Sequence, residues 1–306
     1  MISSLELARL AGVSQGTVDR ALHGRSGVAA ATRERVLALA AKHGYQANPV
    51  AREMMGLAAS PLVGAVVHAL GTHAVFFSTL MTAVHRRLRA DGLHLVMSYA
   101  ADPAEQSAVA THLLARRMRA LLLVHGFDGH LPPAGGIPVA ALVLPVAGAV
   151  SLVPDELATG RIAAEQLVAR GHRRLVVISH GEHPVAVARR DGFRAAGQAA
   201  GASVTVVDSV TAALDQVRSG ASAVFCHNDP QADHLLAAAR SQGLSCPQQF
   251  SVVGVDGSTD DRRLATLAYP FAAIADGVAA VVAGTTPSAP PPCVWRDGAS
   301  IGPGPQ

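Results

Sequence analysis

The chain has 306 residues, with 25 Lys plus Arg, 22 Asp plus Glu and 14 His, for a formal net charge of +3. Half of the residues are apolar and 15% are charged, which excludes disorder and at this length predicts two domains, or one large domain with an appendage. The single lysine, Lys42, lies in a helical stretch and removes the G-x-x-x-x-G-K-[ST] phosphate cradle, while Cys226, Cys246 and Cys293 form no C-x-x-C and point to a reducing compartment.

Position gives the charge a meaning that the total lacks. Residues 1–56 hold seven basic and four acidic residues, whereas residues 57–306 hold 18 of each. A basic head on a neutral body is the footprint of a small nucleic-acid-binding module. Glu6 and Arg9 interrupt the first apolar run, so no signal peptide is expected there and the protein reads as cytoplasmic.

In chain order, Ser3-x-x-Glu6 is a capping box opening a helix with Leu5, Ala8 and Leu10–Ala11 inward. Gly12-Val13 makes a turn, Ser14 caps a second helix through Val18, Ala21 and Leu22, and His23-Gly24 stops it. A third helix spans about Ala30 to His43, closed by Gly44. Two short helices about a Gly-containing turn, buttressed by a third, make a helix-turn-helix over residues 1–47. Asn48-Pro49 then starts a segment, 48–58, of about seven helical residues, too short to be stable alone; it reads as a hinge that becomes helical against a partner.

From Leu62 onward, apolar runs at 63–67, 93–99, 120–125, 138–142, 150–153, 174–179, 203–207, 223–226 and 251–256 alternate with helical stretches. Nearly continuous apolar strands separated by amphipathic helices predict parallel sheets covered on both faces, and this many strands predict two α/β lobes. The uncharged stretch 131–154 contains five prolines and three glycines, which suits buried strands with turns and not a membrane span. The tail from Pro303 reads as unstructured.

Motifs for catalysis fail on context. Gly12-Val13-Ser14-Gln15-Gly16 matches G-x-S-x-G, but a helix precedes it where a nucleophile elbow needs a strand. No G-x-G-x-x-G follows a strand. His227, Asp229, Asp233 and His234 read as a strand end and helix cap rather than metal ligands, and the other histidines as surface or core residues. No enzyme activity, metal or cofactor is expected. The second helix carries the stronger signal: opening at Ser14, it places Gln15, Gly16, Thr17 and Arg20 in its first two turns, where a recognition helix meets base edges and phosphates.

The strings LARLAGVSQGTVDRALHG, VAAATRERVLALAAKHGYQANPVAREMMG, LVARGHRRLVVIS, VFCHND and FSVVGVD resemble, in order and across nearly the whole chain, the lactose-repressor (LacI/GalR) family of bacterial transcription regulators. The resemblance implies an α/β fold class: an N-terminal three-helix helix-turn-helix plus hinge helix, then a two-lobed periplasmic-binding-protein-like (type I) effector core over 59–306. Its N-lobe is about 62–157 with 270–291, and its C-lobe about 158–269 with 292–302. It implies DNA contacts from Ser14, Gln15, Gly16, Thr17, Arg20, His23, Asn48, Arg52 and Met54, the last where the family usually places a minor-groove leucine. It implies effector contacts from His73, Phe76, Asp155, Arg189, Asn228, Asp229, Asp256 and Tyr269, with Arg189 gripping sugar hydroxyls or carboxylates. Four departures stand out: Asp19 for the usual serine, placed to buffer Arg20 or to change base preference; Ala29 for a capping Ser or Thr; Tyr269 for a cleft glutamine; Asp256-Gly257 for paired aspartates.

The expected function is a homodimeric, non-membrane repressor. It binds a pseudo-palindromic double-stranded operator and is controlled by a sugar-like small molecule. A cytosolic small-molecule sensor with weak or secondary DNA binding is the second reading.

Overall fold

Local signals set the first helices. The Ser3 hydroxyl accepts the Glu6 N–H at 3.1 Å and opens α1 (Ser4–Ala11). Gly12, at φ 64, ends it by turning its N–H back to the carbonyls of Ala8 and Arg9, a conformation that glycine adopts without Cβ strain. Ser14 caps α2 (Gln15–Leu22) by accepting the Thr17 N–H at 3.2 Å. α3 (Ala30–Lys42) starts at Ala29 with no side-chain cap. Leu7, Ala8, Ala11, Val18, Ala21, Val36 and Ala40 form one small core among the three helices.

The computed structural model describes residues 2–45, 60–68, 74–179, 181, 183–258 and 262–305. The chain divides into two units, residues 1–60 and 61–306; the hinge expected at 48–58 lies outside the described residues.

The second unit begins with β1 (Leu62–His68), α4 (Ala74–Ala90), β2 (His94–Ala100), α5 (Pro103–Ala115), β3 (Ala120–Val124), β4 (Val139–Leu142) and β5 (Val150–Leu152). These strands form a parallel sheet in the order β2-β1-β3-β4-β5. Alternation along β3 explains its two coverings: Ala120, Leu122 and Val124 join the cluster with Phe76, Leu80, Val84 and Leu88 of α4, while Leu121 and Leu123 join Ala110 and Leu113 of α5.

The second lobe follows with α6 (Glu156–Ala169), β6 (Arg174–Ile178), α7 (Pro184–Ala199), β7 (Ser203–Val207), α8 (Val210–Arg218), β8 (Ala223–Cys226), α9 (Asp229–Ser241), β9 (Ser251–Asp256) and β10 (Ala265–Ala268). α10 (Phe271–Ala283) then returns to pack on α4, β4 and β5, and β11 (Val294–Arg296) comes back to pair antiparallel with β10. The second sheet runs β11-β10-β9-β8-β6-β7 and is otherwise parallel. β10 and β11 were not among the strands expected from the sequence.

Two glycines let α6 and α7 touch backbone to backbone. A Cβ on Gly160 would fall within contact of the Arg189 carbonyl oxygen, and one on Gly192 within contact of the Leu157 carbonyl oxygen. Both helices begin just beyond the carboxyl ends of strands, α6 after β5 and α7 after β6.

The tail corrects its sequence reading. Gly302 donates to the Ser251 hydroxyl at 3.0 Å and Gly304 to the Arg170 carbonyl at 2.8 Å. Buried His172 bridges Ser222 Oγ (3.0 Å) and the Gly302 carbonyl (3.2 Å), and its burial lowers its pKa and favours the neutral ring. Polar partners hold a segment whose composition offers no periodic signal.

Candidate DNA-reading helix and effector cleft

On α2, Val18 and Ala21 face the core, which turns Ser14, Gln15, Gly16 and Arg20 outward and leaves Thr17 and His23 half-buried. The exposed group is tied together lightly. The Ser14 and Thr17 hydroxyls lie 2.9 Å apart, Arg20 donates to the Thr17 hydroxyl at 3.4 Å, and Gln15 Nε2 donates to Ser4 Oγ at 2.6 Å. Exposed bonds of this kind exchange readily for bonds to bases and phosphates.

Asp19 does not buffer Arg20. Its carboxylate pairs with Arg25 at 3.2 Å and lies 3.2 Å from His23 Nδ1. Adjacent helical residues point about 100° apart, whereas Arg25 folds back over Asp19 from the following loop. Arg20 thus stays available.

Gly16 is informative because the fold does not require it. It has no positive φ, and a Cβ there would meet nothing nearer than Ser14 Oγ at 3.9 Å. Gly16→Ala is therefore expected to stabilise the unit by up to about 1 kcal/mol, measured by thermal melting, while weakening DNA binding by crowding the approach. Unchanged affinity would remove Gly16 from the reading surface.

In the second unit the polar groups gather where ligands bind α/β sheets, outside the carboxyl ends of the strands. Asp155 and Asn228 cap α6 and α9, accepting the N–H groups of Ala158 and Gln231 at 2.9 Å each. Asp229 accepts from Thr266 Oγ1 (2.7 Å) and the Gly257 N–H (2.9 Å), and burial raises its pKa to about 6. Asp256 ends β9; burial raises its pKa well above the usual carboxylate range, Arg189 opposing and Asp229 and Glu156 adding.

Arg189 is only 4% exposed and is held by a carboxylate that the sequence reading did not name. Its Nε and Nη2 donate to Glu156 at 2.6 and 2.9 Å, and Nη1 donates to the His227 carbonyl at 2.7 Å. Burial works against the guanidinium's charge, but Glu156 outweighs it and raises the pKa. Among the described residues three of its five N–H donors find partners and two do not. The signal was available: Glu156 follows the cap residue Asp155, where a carboxylate is well placed in a first helical turn.

Aromatic rings meet across the two lobes. Phe76 of α4 lies edge-on to Tyr269 at 4.9 Å, and His125, at the end of β3, stacks on His183, the cap of α7, at 5.5 Å and 16°. Phe77 and His227 extend the row at 5.2 and 6.5 Å. Tyr269 is buried, and its hydroxyl, like that of Ser179, has no hydrogen-bond partner among the described residues. Burial raises the phenol's pKa, so it stays a neutral donor. Phe76, Asp155, Arg189, Asn228, Asp229, Asp256 and Tyr269 all occupy helix starts or strand ends of this unit; His73, like Asn48, Arg52 and Met54, lies outside the described residues.

Residues 5–48 match the family described as bacterial regulatory proteins, lacI family, and residues 164–300 match the periplasmic binding protein-like domain. The chain is 33% identical over 270 residues to the HTH-type transcriptional regulator GntR of Pseudomonas aeruginosa, covering 81% of this chain and 78% of that one. The chain belongs to the lacI family of bacterial regulatory proteins. This lacI-family regulator is accordingly a DNA-binding protein with a ligand-binding core, and not an enzyme. Its fold is shared with the lac repressor dimer bound to operator and the anti-inducer ONPF (TM-score 0.81, 23% identity, 98% of this chain and 99% of that one). It is also shared with a CelR–cellobiose complex (TM-score 0.63, 23% identity, 97% and 98%). No helix among the described residues of the lacI-family regulator is long and apolar enough to cross a membrane.

Proposed function

We propose that the protein is a homodimeric repressor whose paired helix-turn-helices read a pseudo-palindromic operator, under the control of a sugar-like effector in the core's cleft. Gln15, Gly16 and Arg20 would meet base edges, Ser14 and Thr17 phosphates, and His23 would support them. Asn48, Arg52 and Met54 belong to the segment 48–58 that would couple the core to the groove.

The observation that carries the effector half is the unspent polarity of the cleft. A Tyr269 hydroxyl buried with no partner among the described residues is costly, and a ligand hydroxyl would relieve it. Arg189, with two donors left, Asp155, Asn228, Asp229 and Asp256 offer further polar contacts, and Phe76 an apolar edge of the kind that covers a sugar ring. The fold neighbour CelR carries a sugar, cellobiose.

Dimerisation has a natural surface on β2, an edge strand whose Met97 and Tyr99 are 45% and 63% exposed. They line a groove of about 650 Å³ with Phe77 and Met81 of α4. An exposed apolar edge strand invites pairing unless covered, and a second copy is the occupant that twofold operator reading requires.

The test is a thermal-shift screen of sugars and polyols on the full chain, followed by DNA affinity with each stabilising compound. At least one compound is expected to raise the melting temperature, as native-state binding must, and to change the DNA dissociation constant at least about tenfold, within the usual range of allosteric coupling. A compound that stabilises the protein but leaves DNA affinity unchanged would favour the sensor reading instead.

A further inference from the structure

The core's balanced charge conceals a segregation within its first lobe. At the amino edge of the five-stranded sheet stand Arg86, Arg87 and Arg89, near the end of α4, and Arg116, Arg117 and Arg119, between α5 and β3. Two acids lie among them, Asp91 and Asp276, and both are taken by Arg87, at 2.7 and 2.9 Å. The other five arginines are exposed and make no ion pair with a described residue. Across the lobe, near the carboxyl ends of the same strands, Asp102, Glu105, Asp128 and Asp155 give the opposite sign.

The placement of the arginines is as specific as their sign. α4 and α5 cover opposite faces of the sheet, so the two groups straddle its edge. Between them the chain enters the core: the Pro61 carbonyl accepts the His94 N–H at 2.8 Å and the Leu62 carbonyl accepts the Arg119 N–H at 2.6 Å. The fourteen residues 46–59 join this point to the DNA-binding unit, and at full extension they reach about 50 Å.

We propose that this arginine edge is a second DNA-contacting surface of the protein, taking the phosphates of duplex that flanks the operator and reading no bases. Guanidinium groups suit phosphate oxygens through paired N–H donors, and a face with six arginines against two acids has the excess positive charge that counterion release uses. An acidic protein would also suit the charge. The tether favours DNA, since the DNA-binding unit belongs to the same chain and joins this edge through only fourteen residues. The proposal rests on the family's DNA binding and is independent of which α2 residues read bases.

The experiment measures binding of the full chain to labelled random-sequence duplexes of about 20 and 40 base pairs by fluorescence anisotropy, between about 50 and 300 mM NaCl. One variant carries Arg86→Gln, Arg89→Gln, Arg116→Gln and Arg119→Gln. A control removes the same charge from the second lobe through Arg161→Gln, Arg194→Gln, Arg218→Gln and Arg240→Gln. The edge variant is expected to bind the longer duplex at least about tenfold more weakly at 100 mM NaCl, with a log–log salt slope shallower by about 2. The shorter duplex and the control should change by less than about threefold. An edge variant equal to wild type would overturn the proposal and leave the face to an acidic protein, and an equal loss in the control would overturn it in favour of net charge alone. Arg20→Ala runs beside them: its loss of binding with the edge variant unaffected would sink this surface while sparing the recognition helix.

Discussion

Arg189→Ala lowers the stability of the core by about 3–5 kcal/mol, because it strands the buried Glu156 carboxylate without its partner. For a unit of this size that is a fall of roughly 6–20 °C in melting temperature. The same substitution would weaken effector binding, so affinity loss alone cannot assign Arg189 to the ligand. Replacing both partners resolves the two roles. In Arg189→Met/Glu156→Leu neither member of the pair is left buried without its partner, and much of the stability should return, as it does when buried ion pairs give way to apolar residues of similar volume. Ligand affinity should stay low in that double variant if the two remaining N–H donors of Arg189 serve the effector. Calorimetry on wild type, both single variants and the double variant checks this. A single Arg189→Ala variant that melts within about 2 °C of wild type would show that the pair does not hold the cleft.

Gly160→Ala, one methyl group, is expected to cost more than about 3 kcal/mol, beyond the usual range for overpacking. The added Cβ meets the backbone oxygen of Arg189 on the facing helix, and backbone cannot step aside by changing rotamer as a side chain can. Relief requires α6 and α7 to separate. That separation also pulls Glu156, in the first turn of α6, from Arg189 on α7. Gly192→Ala, at the reciprocal contact with Leu157, should behave alike. Loss of soluble protein, or a melting transition lowered by more than about 6 °C, is the expected readout; a transition within about 2 °C of wild type would contradict the close crossing. The contrast with Gly16→Ala is direct, since the same chemical change is expected to stabilise one unit and break the other.

These cases show what was legible in the sequence. Ser3, Gly12 and Ser14 act on backbone groups within four residues of themselves, so α1 and α2 were readable. Of the nine strands read from the sequence, β1, β3, β4, β6, β8 and β9 were readable because burial on both faces makes a run continuously apolar. The tail around Pro303 was not, because the bonds of Gly302 to Ser251 and His172 and of Gly304 to Arg170 involve residues far along the chain. The Arg189–Glu156 pair was hidden in the same way: 33 residues separate the partners, and only the α6–α7 crossing brings them together. Asp19 misled because its neighbour in sequence, Arg20, is not its neighbour in space. Histidines that looked scattered, His125, His183 and His227, line up across the cleft, and that order is a property of strand ends and helix caps, not of spacing.

Charge followed the same rule. The net value of the core suggested an electrically featureless body, yet one sheet edge gathers arginines and the opposite edge gathers acids.

The central claim, base reading by α2 in a twofold assembly, is tested most directly by selecting duplexes from a random-sequence pool with the full-length protein. Enrichment of an inverted repeat with half-sites about one helical turn apart or a multiple of it is expected, lost when Arg20→Ala replaces wild type in the selection. Enrichment of no repeat, or of the same repeat by the Arg20→Ala variant, would contradict it.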